Sequence, residues 1–99
     1  MSILDQGKML LKAKQMQKEL KNIEVEAQSG DGSITVVVNG EMHLKELTLD
    51  ESFLKPENKR QLEKNIQQTI SEAMSRAQAI TAEKTREIMK GMNLNIPGL

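Results

Sequence analysis

The sequence predicts an α+β fold: an N-terminal helix, a three-stranded antiparallel meander and a long C-terminal helix. Three observations predict it. Ile34, Val36 and Val38 alternate with Thr35, Val37 and Asn39, the period of a half-buried strand, and Gly40 follows at once. Before that strand, Met9, Ala13, Met16, Leu20 and Ile23 recur at helical 4-3-4-3 spacing. After it, Leu62, Ile66, Ile70, Ala73, Ala77, Ile80 and Ile88 share one helical stripe that ends before Gly91. At 99 residues the chain reads as a single domain, residues 1–99.

The opening helix is expected over residues 1–23. Its Met-containing stripe reads as core. Opposite the stripe lie Lys14, Lys18 and Lys21, and Lys8 and Lys12 form a second pair at i, i+4. Residues 1–22 hold five Lys against Asp5 and Glu19, a local excess of three positive charges. Such a run is either a solvated face or a surface for a polyanion. Leu4, Leu10 and Leu11 fall off the main stripe. The first turns are therefore apolar almost all round, more than a helix touching one sheet requires.

The sheet is expected over residues 24–50. Val25 and Ala27 share one face of the first strand, and residues 29–33 (Ser-Gly-Asp-Gly-Ser) make a turn. The turn contains a GxG, but Thr35 stands where a dinucleotide fingerprint needs its third glycine, and the Lys-Ser/Thr of a P-loop is missing. Asn39-Gly40 predicts a two-residue type I′ turn. That turn pairs Val38 with Glu41, Val36 with His43 and Ile34 with Lys45, so the third strand would run from Glu41 to Leu49. On this register Leu47 and Leu49 lie on one face, and Met42 and Leu44 on the other with Val37. A bulge at Lys45-Glu46 would re-aim one set. Either way both faces carry apolar residues, and a sheet this small needs a cover.

Asp50 is a natural N-cap for a short turn. Pro56, at a favoured first helical position, opens the long helix, expected over residues 56–90. Gly91 suits the position just past its end. Ala73 and Ala77 would let another backbone approach closely, and Lys84 interrupts the stripe. Such a helix is ~50 Å long, whereas a compact domain of this size has a radius of gyration of ~13 Å. Part of it must project or pack on a second chain. Residues 91–99 read as an irregular tail. The long helix, the two-sided strands and the surplus leucines together predict a homodimer.

The chemistry of an enzyme is missing. There is no Cys, so disulfides and thiolate metal sites are excluded. His43 is the sole histidine, no spaced carboxylate cluster stands out, and no serine sits in a nucleophile elbow. Neither a cofactor, a metal nor a small-molecule substrate is expected. No apolar run approaches a membrane span, and the N-terminus lacks a signal-peptide pattern, so a cytoplasmic location is the expectation. Net charge is zero but unevenly spread. The first helix is basic, Lys84, Arg86 and Lys90 lie near the end of the long helix, and the strands and turns carry Glu24, Glu26, Asp31, Glu41, Glu46 and Asp50.

Several segments, in order, resemble one family. They are the opening Leu11-Lys-Ala-Lys-Gln-Met-Gln17, the Gly-rich turn before Ile34-Thr-Val-Val-Val-Asn-Gly40, Leu47-Thr-Leu-Asp50 with Phe53-Leu54, the Ala-containing long helix, and Gly91-Met-Asn-Leu with Pro97-Gly98. Over nearly its whole length the chain resembles the YbaB/EbfC family of bacterial nucleoid-associated DNA-binding proteins. The resemblance implies a two-fold homodimer whose helical arms grip double-stranded DNA, with weak sequence preference and a role in nucleoid organisation or gene regulation. Neutrality is a departure that lowers the expected affinity. Charge placement nominates Lys8, Lys12, Lys14, Lys18 and Lys21 as the main DNA contacts, assisted by Lys84, Arg86 and Lys90. The competing reading is a protein-interaction adaptor that uses the long helices and Leu4, Leu10 and Leu11.

Overall fold

The computed structural model describes residues 3–91. Helix α1 (Ile3–Asn22) leads into strands β1 (Glu24–Gln28), β2 (Ile34–Asn39) and β3 (Leu44–Leu49). Two single 3-10 turns, Glu51–Phe53 and Pro56–Asn58, precede the long helix α2 (Lys59–Gly91). This is the predicted order. The tail beyond Gly91 and the first two residues of the predicted opening helix lie outside the described residues. Asp50 caps the first 3-10 turn as expected, its carboxylate accepting from Ser52 N at 2.9 Å.

The strands pair antiparallel in the order β1-β2-β3. On one sheet face Val25, Ala27, Ile34, Val36 and Val38 pack against Ala73 and Ala77 of α2. The two alanines let the helix backbone approach the sheet, which concentrates the core under the middle of α2.

The β2–β3 register differs from the expected one. Val38 pairs with Leu44, Val36 with Leu47 and Ile34 with Leu49. The connection is longer than a two-residue turn: Asn39 N–H donates to His43 O, and Met42 adopts a left-handed φ of 66°. The Asn39 carboxamide explains why. Its Oδ1 accepts from both Glu41 N and His43 N at 3.0 Å, which closes the wider loop. The anticipated bulge is present: Val37 pairs with Glu46 while Val38 pairs with Leu44, leaving Lys45 as the extra residue. Leu44, Leu47 and Leu49 therefore all share the face of Ile34, Val36 and Val38.

α2 does not reach far enough to cover that third strand. Leu44, Leu47 and Leu49 remain 42%, 44% and 37% exposed. The buried face of α2 also departs from the apolar stripe. Asn65, Thr69, Ala73 and Ala77 are buried, whereas Leu62, Ile66 and Ile70 are half-buried and Ile80 is exposed. An apolar groove of about 330 Å³ opens between Leu54, Pro56, Leu62 and Ile66. The core reading of the α1 stripe holds only for its last turns: Met16, Leu20 and Ile23 are half-buried, but Met9 is exposed.

The molecule is elongated, with extents of 64 × 25 × 15 Å and a radius of gyration of 18.7 Å. That exceeds the ~13 Å of a compact chain of this length. The excess comes from α1 and the end of α2 past Thr81, which together form an arm beyond the sheet.

Candidate nucleic-acid interface

The arm begins at one junction. α1 ends at Asn22, and its last carbonyls have no partners within the helix. Gly40, from the β2–β3 loop, donates its N–H to Leu20 O at 2.9 Å and to Ile23 O at 3.2 Å. The hydroxyl of Thr81, about two-thirds of the way along α2, donates to Gly40 O at 3.0 Å. Gly40 is needed here for close approach: a Cβ at that position would overlap the Leu20 carbonyl. Sequence reasoning assigned this glycine to a tight turn and overlooked Thr81. The contacts span 20 and 41 residues of chain, so no local pattern signals them.

Beyond the junction α1 and α2 run side by side. Lys12, Gln15, Met16 and Glu19 of α1 face Ile88 and Gly91 of α2 across a cleft of about 230 Å³. Lys8, Lys12, Lys14, Lys18 and Lys21 are all exposed. Among the side chains described from residue 6 onward the ion pairs are Lys59–Glu63, Arg76–Glu72 and Lys84–Glu87, and none of these engages an α1 lysine. Their ammonium groups are open to solvent. On α2, Arg86 and Lys90 are likewise exposed. Lys84 differs from the rest: it is half-buried and lies 4.0 Å from Glu87.

Most of the acidic residues lie off this arm, although Glu19, Glu83 and Glu87 sit on it. Glu24 and Glu26 project from β1 on the face away from the core, and Glu46 and Asp50 are exposed on and after β3. Asp31, at the far turn, accepts from the Ser33 hydroxyl at 2.7 Å, from Ser33 N and from the Ser29 hydroxyl. These bonds, the Ser33 hydroxyl foremost, lower its pKa from an ordinary 3.8 to about 2. Asp50 is lowered too, first by the Ser52 hydroxyl and then by its N–H. Both carboxylates stay charged at neutral pH and keep the body anionic. Lys8 to Lys21 thus sit on one basic helix, while the sheet carries the compensating negative charge.

No helix among the described residues is long and apolar enough to cross a membrane, and no group of His, Asp or Glu among them could hold a metal ion. What the arrangement offers chemically is a row of ammonium groups on a projecting helix, suited to phosphate oxygens as point charges.

A nucleoid-associated protein of Rhizobium meliloti is 36% identical over 91 residues, covering 92% of this chain and 84% of that protein. One from Prochlorococcus marinus is 35% identical over 86 residues, covering 87% of this chain and 73% of that protein. The crystal structure of an uncharacterized protein from Helicobacter pylori matches with a TM-score of 0.60 at 22% identity, covering 94% of this chain and 100% of the other. That match establishes the fold alone. The sequence profile of the YbaB/EbfC DNA-binding family matches residues 3–92. This is a family of DNA-binding proteins and not of enzymes. With this match over most of its length, the chain belongs to the YbaB/EbfC DNA-binding family.

Proposed function

We propose that the chain binds double-stranded DNA as a homodimer through phosphate contacts, with little sequence preference, and acts in the nucleoid in organising DNA or regulating gene expression. One observation carries the reading: five exposed α1 lysines, free of ion pairs among the described residues, project on an arm away from an acidic sheet. Lys8, Lys12, Lys14, Lys18 and Lys21 supply most of the contacts. Arg86 and Lys90 assist, and Lys84 contributes less because Glu87 lies beside it.

Dimerisation is supported by the exposed leucines of β3 and the groove at Leu54, Leu62 and Ile66. Two-fold symmetry doubles the arm and places two basic helices on one duplex. No side chain on α1 is an obvious base reader. Lysine meets phosphate as a point charge, so discrimination among sequences is small.

The test is binding to random duplex DNA at matched salt, wild type beside Lys14→Glu/Lys18→Glu/Lys21→Glu. About three phosphate contacts per chain give a slope of roughly −5 for log K against log salt in a dimer. A folded triple variant that binds as tightly as wild type excludes this face. A wild type that fails to bind even at low salt favours the adaptor reading, for which Met9, Leu10 and Leu11, exposed on the same helix, are the natural contact.

A further inference from the structure

We propose that Gly40 and Thr81 form a clamp that sets the direction of the basic arm, which makes Thr81 a positioning residue for DNA binding. The proposal rests on the reading of α1 as the phosphate-facing element.

α1 joins β1 through Ile23 alone. With planar peptides, two dihedrals at that residue would otherwise decide where the helix points. The usual local device for fixing a helix end is a left-handed glycine just past it. Here the residues after Asn22 are Ile23 and Glu24. Ile23 N–H reaches Leu20 O at 3.2 Å, and a shorter bond comes from the β2–β3 loop: Gly40 N–H donates to Leu20 O at 2.9 Å and also to Ile23 O. The same residue's carbonyl takes the Thr81 hydroxyl. A single glycine thus ties the end of α1, the hairpin and the distal part of α2 together. The space is tight on both sides, since a Cβ at Gly40 would strike Leu20 O and stand 3.1 Å from Thr81 Oγ1.

Further out, packing does less to hold the arm. The cleft between the helices is open, and Met9, Leu10 and Leu11 are 49%, 60% and 70% exposed. Direction therefore depends strongly on the junction. Lys8 lies twelve residues, or ~18 Å, from Leu20 along the helix. A tilt of about 20° at the junction would move it by roughly 6 Å, more than the ~3.4 Å rise per nucleotide of one strand. The clamp is what keeps Lys8, Lys12, Lys14 and Lys18 in one arrangement matched to the duplex.

Thr81→Val keeps the shape and removes the hydroxyl, while Thr81→Ser keeps the hydroxyl. The chain has no Cys, so nitroxides at Gln6→Cys near the start of α1 and Gln28→Cys on β1 report the arm-to-sheet distance specifically. Dilution into excess unlabelled chain isolates distances within one subunit. Thr81→Val should broaden the distance distribution and weaken binding to random duplex about fivefold, the equivalent of one ordinary hydrogen bond. Its salt slope should also become shallower, since fewer lysines reach phosphate together. Thr81→Ser should restore all three readouts, which a general loss of packing would not do. Thr81→Ala serves the same purpose as Thr81→Val should valine not be accommodated. An unchanged distance distribution overturns the clamp whether or not DNA binds. A broadened distribution with unchanged affinity and slope overturns the positioning role. A wild type that does not bind DNA overturns the reading on which the proposal rests, and the distances still decide the clamp.

Discussion

Asn65, in α2, donates through Nδ2 to Asp31 Oδ2 at 2.9 Å, joining the long helix to a turn 34 residues away. The same Nδ2 reaches the buried Ser33 hydroxyl at 3.1 Å, and Gln61 donates to Asn65 Oδ1 at 2.9 Å. Asp31 Oδ1 in turn accepts from Ser29 and Ser33. This network orients α2 on the sheet. It explains why a polar residue occupies the buried face of the helix while Leu62 and Ile66 stay half-exposed.

Asn65→Ala should destabilise the chain by about 1–3 kcal/mol, because the buried Ser33 hydroxyl loses a partner and Asp31 loses a donor. Asn65→Leu should not recover the loss, since an apolar side chain cannot serve either group. Thermal melts of the three proteins check this; equal midpoints would show that the network contributes nothing.

Titration of Asp31 should be visible in stability. Its folded pKa of about 2 lies below the ordinary 3.8, so its contribution is present above pH 4 and is lost as pH falls towards 2. Wild type and Asp31→Asn should therefore differ in melting temperature at pH 5, and the gap should shrink as pH falls through 2. A gap as wide at pH 2 as at pH 5 would assign the difference to something other than this charge.

Val36→Asp should abolish the fold, and Lys18→Ala should leave it unchanged. Val36 is fully buried in the middle strand, where an unpaired carboxylate has no solvent and no partner, at a cost of more than about 4 kcal/mol. Lys18 is exposed on α1. Circular dichroism melts separate the two; similar midpoints would contradict the burial of the central strand.

Leu47→Glu should convert a dimer into a folded monomer. Leu47 is 44% exposed within one chain, on the sheet face that α2 leaves open. Permanent dimers commonly bury more than ~2,000 Å² of such surface. Sedimentation of wild type at micromolar concentration should give a dimer, and the variant a monomer with the same helix content. A folded wild-type monomer would remove the dimer from the proposal.

Arg86→Ala should lower the magnitude of the salt slope by about 1 for each phosphate contact it loses, and Lys84→Ala should lower it less. Arg86 is exposed, while Lys84 is half-buried beside Glu87. Equal effects at the two positions would mean that the Lys84–Glu87 pair opens on binding.

Much of this architecture is legible in short stretches of chain. The α1 and α2 periodicities, the alternation in β2, the Asp50 cap and the bulge at Lys45 all depend on neighbours within a few residues. Local sterics and hydrogen bonding are enough to specify them. The lysine-rich face of α1 is legible for the same reason, since helical spacing alone gathers those side chains. Other features depend on residues distant in the chain. Asn39-Gly40 carries the signature of a two-residue turn, yet Asn39 closes a wider loop and Gly40 goes to the end of α1. The gain from satisfying α1's terminal carbonyl outweighs the local turn preference. The stripe on α2 points to Leu62 and Ile66, yet Asn65 and Thr69 are buried, because the Asp31–Ser33 turn supplies partners that only folding brings near. Hydrophobic periodicity identifies which side of a helix is apolar. It is silent on which part of that side meets its own sheet and which stays exposed, since that depends on the angle at which distant elements pack.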